Sequence, residues 1–145
     1  MIVLDANLLI YAYDSTTPEH GRARAWIEEV FSGHESIGLP WLSIYAFVRI
    51  LTHPGMPSSK LTTQSAVGIV DQWLNLPHVL TLAPSDRYWP SFREMLIGGD
   101  VKGRLTTDAA LAALTIEHAG ILYTNDRGFA RFPGLRWINP LQLAS

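Results

Sequence analysis

The first seven residues constrain this chain more than any other stretch. Met1-Ile2-Val3-Leu4 is an unbroken apolar run that stops abruptly at Asp5-Ala6-Asn7. A strand without polar alternation must be buried on both faces, and a parallel sheet covered by helices provides that setting. Its first polar residue then falls at the carboxyl end of the strand, the edge where open α/β sheets bind ligands. Asp5 and Asn7 are thereby placed where chemistry can occur. A plainer role is also open to Asp5, as the cap of a short buried helix over residues 7–13.

The same grammar repeats along the chain. Short apolar runs at 37–39, 79–82, 121–124 and 135–138 read as further strands. Between them, helical spacing predicts helices over 19–31, 41–51 and 63–75. Another follows a Ser85 or Asp86 cap and carries Trp89, Phe92, Met95 and Leu96. The last opens at Thr106-Thr107-Asp108 and stops at Gly120. Alternating strands and helices imply a three-layer α/β/α fold around a mostly parallel sheet of about five strands. The 145 residues suit one domain spanning 1–145. Residues 41–51 are apolar around nearly the whole helix, with only Ser43 and Arg49 interrupting. Such a helix belongs in the core, at a homodimer contact, or partly in both. Residues 53–57 read as a rigid loop, and 98–104 as a glycine-rich loop without the ending of a phosphate-binding loop.

Composition removes several function classes. There is no cysteine, so neither a disulfide nor a thiolate metal site can form. No apolar run is long enough to span a membrane, and the start lacks the features of a secretory signal, which fits a cytoplasmic protein. The net charge of −2 supplies no overall basic footprint. Any contact with nucleic acid must come from a local arginine patch, a metal site or a partner.

Two of the apolar strands end in acids, Asp5 and Asp126. Parallel strands bring those endings to one edge of the sheet. Asp108 stands at the start of the helix that feeds the Asp126 strand, and helices start on that same edge. Taken singly, Asp108 is a helix-start acid and Asp126 a turn acid. Taken together, the three mark one site. Converging carboxylates repel unless a cation lies among them. With hard oxygen donors and no cysteine, that cation is Mg²⁺ or Mn²⁺. Water on such an ion can attack a phosphodiester in line.

At three places the text resembles the PIN-domain ribonucleases, and among them the VapC-like toxins of toxin–antitoxin pairs. These are Leu4-Asp5-Ala6-Asn7-Leu8-Leu9, Leu105-Thr106-Thr107-Asp108-Ala109-Ala110-Leu111, and Tyr123-Thr124-Asn125-Asp126-Arg127-Gly128-Phe129. The tail from Phe132 to Leu141 is similar too, so the resemblance covers the whole chain. It implies a metal-dependent endoribonuclease that cuts structured RNA such as tRNA or rRNA. It also implies a homodimer silenced by a VapB-like antitoxin. By motif match, Asp5, Asp108 and Asp126 would be the catalytic and metal-binding acids, with Asn7 and Thr124 orienting them. Arg104 and Arg127, beside the acids in sequence, would hold the RNA backbone. The family usually carries a fourth acid, a Glu, in the helix after the second strand. Residues 41–51 contain none, and Ser43 or Phe47 stands in its place, Ser43 being counted with the supporting residues. That departure motivates the alternative of a weakly catalytic or non-catalytic PIN domain that binds RNA or an antitoxin. Phosphatase and receiver-domain readings fail: Asn7 replaces the second Asp of the former, and the middle strand ends in Ala83-Pro84 where the latter needs Asp.

Overall fold

The computed structural model describes residues 1–55 and 61–142. Five parallel strands form one sheet: β1 (Ile2–Leu4), β2 (Ile37–Pro40), β3 (Val79–Leu82), β4 (Ile121–Tyr123) and β5 (Trp137–Ile138). Their order is β3-β2-β1-β4-β5. The central strand is therefore β1, as its lack of polar alternation requires. Its side chains divide between two cores. Ile2 and Leu4 point into one with Ile37 and Leu39 of β2, while Val3 points into the other with Leu122 of β4.

The helices sort by face. On the first pack α1 (Ala6–Tyr13), α2 (His20–Ser32), α3 (Trp41–Leu51) and α4 (Thr63–Leu74), around Leu8, Leu9, Ile27, Phe47 and Trp73. The second carries α5 (Tyr88–Gly98) and α6 (Leu105–Glu117), around Met95, Leu111 and Leu114. The result is the expected three-layer α/β/α arrangement. From β1 the chain steps outward through β2 to β3. It then crosses back to β4 on the opposite flank of β1. The order reverses between β1 and β4, and in open α/β sheets the carboxyl ends of the strands at such a reversal are where ligands bind.

Several local expectations change. Asp5 occupies the cap position of α1, but its side chain makes no capping hydrogen bond, so its carboxylate is left largely for other partners. Ser85 does not cap α5. It accepts from the Arg87 amide and bonds through its own amide and hydroxyl to Glu117, one turn before the helix starts. Thr62 does cap α4, accepting from the Ser65 amide at 3.0 Å. At the end of α6 it is Ala119, at φ +53°, that takes the left-handed position. Gly120 serves packing instead: a Cβ there would lie 2.5 Å from Val3 Cγ2. In α3 one face, Ser43, Ile44, Phe47 and Leu51, is buried, while Trp41 and Tyr45 are exposed. The helix is thus not enclosed all round by its own chain. Trp89 of α5 and Leu74 at the end of α4 are also exposed. Met56 and Pro57 of the expected rigid loop lie outside the described residues. Among the described residues, no helix is long and apolar enough to cross a membrane.

Candidate active site

The ladder between β1 and β4 pairs Leu4 with Tyr123, so the residues that follow each strand emerge side by side. The Asp5 amide continues the ladder, donating to the Tyr123 carbonyl at 3.1 Å. Beyond that point backbone pairing between these strands gives way to side chains, with Thr124 at the centre. Its hydroxyl donates to Asp5 Oδ2 at 2.7 Å. The same oxygen accepts from Asn7 Nδ2 at 3.2 Å and from the Asp126 amide at 3.0 Å. One donor and two acceptor sites are all a hydroxyl has, so the fully buried Thr124 is satisfied and its proton is aimed at Asp5. Both sequence-stated supports of the acids, Asn7 and Thr124, lie in this network.

Ser43 acts one step away. Pro40 ends β2 and directly precedes α3, so the helix starts at the sheet edge with no loop. The buried Ser43 hydroxyl then donates to the Leu4 carbonyl at 2.6 Å, holding the end of β1 just before Asp5. It fixes backbone and does not replace the charge of a missing acid.

Burial drives the Asp5 carboxyl up to about 6 from an ordinary 3.8. The Thr124 hydroxyl and the Ala6 amide oppose that rise, and the charges of Asp108 and Asp126 add to it. Asp108, partly buried in the first turn of α6, is also raised, first by burial and then by Asp126. Arg131 and Arg104 pull it back. The three acids thus lie in one another's field at this edge of the sheet. Asp126 has a second duty: its Oδ1 accepts from the Gly128 amide at 2.8 Å and caps a 3-10 helix at Arg127–Arg131. The turn reading of Asp126 and the site reading therefore both apply.

Among the described residues, no group of three or more Asp, Glu or His side chains is gathered tightly enough to hold a metal ion. The three carboxylates interact without forming a closed ligand set. The donors still fit a hard cation in their chemistry. All are oxygens, they repel one another, and Mg²⁺ is commonly held by only one or two carboxylates while keeping much of its water. Asp5 and Asp108 are the residues that would hold it, with Asp126 beside them.

Arg104, before α6, and Arg127, after Asp126, are both exposed at this edge. Sequence reasoning missed Arg131, whose charge acts on Asp108, because only the turn of the 3-10 helix brings it round. It also assigned no role to Asn125 or Asn139, which join the network through side chains far apart in sequence.

Comparison with known proteins agrees with this geometry. Residues 2–135 match the PIN domain family. Ribonuclease VapC33 of Mycobacterium tuberculosis is 37% identical over 142 residues, covering 98% of this chain and 99% of that protein. Among solved structures, VapBC2 of Rickettsia felis, bound to a DNA fragment from its promoter, superposes with a TM-score of 0.68 at 16% identity. That match covers 96% of this chain and 98% of the other. VapC20 of Mycobacterium tuberculosis, described as a sarcin-ricin loop cleaving toxin, gives 0.66 at 16% identity over 94% of this chain and 99% of its own.

Proposed function

The chain belongs to the PIN domain family, and from that premise we propose that it is an endoribonuclease, the toxin of a toxin–antitoxin pair, dependent on Mg²⁺ or Mn²⁺. The observation that carries this reading is the Asp5 carboxylate. It sits at the reversal of strand order, is oriented by a saturated Thr124 hydroxyl, and is raised to about 6 in the field of two further acids. A purely structural acid gains nothing from such neighbours. A metal-binding acid uses them, because a cation relieves the repulsion.

In this mechanism Asp5 and Asp108 hold the ion, and Asp126 contributes charge beside it. The metal, when bound, supplies a nucleophilic water and neutralises charge that develops on the phosphate. The protein's part is positional. Thr124 and Asn7 fix the Asp5 carboxylate, Ser43 fixes the strand end beneath it, and Arg104 and Arg127 hold the RNA backbone on either side. The substrate is structured RNA such as tRNA or rRNA. The inhibitor is a VapB-like antitoxin, and the exposed Trp41 and Tyr45 face of α3 meets a second copy of the chain in a homodimer.

The test is cleavage of total tRNA and of rRNA with Mg²⁺ or Mn²⁺, with Asp5→Asn and Asp108→Asn as controls. Both variants should bind RNA and leave it intact. Cutting at the parent rate by either variant refutes the metal mechanism. The second reading, a weakly catalytic or non-catalytic domain that binds RNA or an antitoxin, is favoured by Ser43 in place of an acid and by the open ligand set. A parent chain that binds RNA but does not cut it with either metal decides for that reading.

A further inference from the structure

After β5 the chain returns across the carboxyl edge of the sheet through Asn139, Pro140 and Leu141, all buried. This return is firmly anchored. Leu141 lies in the first core, and Arg22 Nη1 of α2 donates to its carbonyl at 3.1 Å. The Leu141 amide donates to Asn139 Oδ1 at 3.1 Å. An amide proton must meet an oxygen, so this bond fixes which way the Asn139 side chain faces. Its Nδ2 then donates to Asn125 Oδ1 at 2.9 Å.

Asn125 lies between the two residues that reach the acids. The last β4–β5 ladder bond near the site is Thr124 N–H to the Ile138 carbonyl, at 3.0 Å. Past it the Asn125 amide donates to Asn7 Oδ1 at 3.4 Å, and Asn7 Nδ2 donates to Thr124. An unbroken line of contacts thus runs from Asn139 through Asn125, Asn7 and Thr124 to Asp5. We propose that Asn139 is a positioning residue, which ties the 124–126 turn to the anchored end of the chain and so fixes the Asp5 carboxylate through Asn7 and Thr124. The proposal rests on the reading of Asp5 as a metal-binding acid. Were Asn139 needed only to end β5, its oxygen on Leu141 would suffice. The bond that Asn139 Nδ2 donates to Asn125 adds nothing to that end and acts only on the site turn.

The experiment compares Asn139→Ala, Asn125→Ala and the double variant in the full chain, each read in three ways. Amide exchange at Asn125 and Asp126 is followed without metal, Mn²⁺ affinity by calorimetry, and RNA cleavage as kcat and KM. Asn139→Ala should speed exchange at both amides. It should weaken Mn²⁺ binding about tenfold or more, the usual consequence of removing an outer support of a metal ligand. It should lower kcat while KM for RNA stays unchanged. The double variant should lose no more than the worse single one, since both break one line of contacts. Asn125→Ala, at a less buried position, reports on the same line should Asn139→Ala not fold. Unchanged exchange and Mn²⁺ affinity alongside a lowered melting temperature would overturn the proposal, as would additive losses. A parent chain that cuts no RNA refutes the nuclease reading alone, and the exchange rates then decide the role of Asn139.

Discussion

Asp5→Asn should make the metal-free protein more stable at pH 7, even though it removes the most connected acid in the site. A carboxyl raised from 3.8 to about 6 by folding carries an ionisation penalty of about 3 kcal/mol at neutral pH. That figure is a ceiling, because Asp5 is partly exposed at the sheet edge and water there lowers it. Asparagine keeps an oxygen to accept from Thr124 but adds an amide that must find its own partner, at about 1 kcal/mol. The net gain is about 1–2 kcal/mol, or roughly 2–8 °C in Tm for a domain of this size. The pH dependence has a definite sign. The folded state holds the Asp5 proton more tightly than the unfolded state. Its penalty is therefore absent below about 3.8, grows as pH rises to about 6, and is constant above that. The advantage of Asp5→Asn should be full at pH 7 and vanish near pH 4. Excess Mn²⁺ should reverse the order at pH 7 by stabilising only the parent. Thermal melts from pH 4 to 7.5, with chelator or with Mn²⁺, measure all of this. A metal-free Asp5→Asn protein that melts below the parent at pH 7, by a margin that does not change toward pH 4, would refute the reasoning.

Thr124→Val keeps the shape of the buried side chain but removes the donor to Asp5 and the acceptor of two bonds. Denaturant titration should show a loss of about 1–3 kcal/mol, and calorimetry a Mn²⁺ affinity reduced about 10–100-fold. Gly120→Ala places a methyl group 2.5 Å from Val3 Cγ2 and should cost about 1–3 kcal/mol by the same titration, with Mn²⁺ affinity preserved. Tyr45→Glu puts a charge on the exposed aromatic face of α3 and should convert a dimer to a monomer in light scattering without lowering the melting point of the protomer.

The residues that punctuate regular elements could be read from the sequence. Asp5 and Asp126 end apolar runs, and Asp108 starts a helix, so local pattern alone placed all three on one edge of a parallel sheet. The layers followed from the same alternation, and the edges of most elements from turn and cap chemistry. Asn7 stood with Asp5 at the strand ending, Thr124 and Ser43 were named through resemblance, and the hydrogen bonds give each a physical task. Where local chemistry had two outlets, the sequence could not choose. Ser85 could cap α5 or turn to Glu117, and the serine alone does not say which. Gly120 could end a helix by its backbone or admit Val3 by its lack of a side chain, and only the packed sheet shows the second.

What tertiary structure alone decided is pairing across distance. The strand order β3-β2-β1-β4-β5 puts its reversal between β1 and β4, which makes Asp5 and Thr124 neighbours across 119 positions. The same order brings Asn139 beside Asn125 and Arg131 into the field of Asp108. It also brings the acids into one another's field. A local pattern fixes which side of an element a residue occupies, because periodicity is a property of a few successive residues. The distance between two side chains on different elements depends on register, crossover and helix docking, and these are settled only when the two cores pack on opposite faces of the sheet.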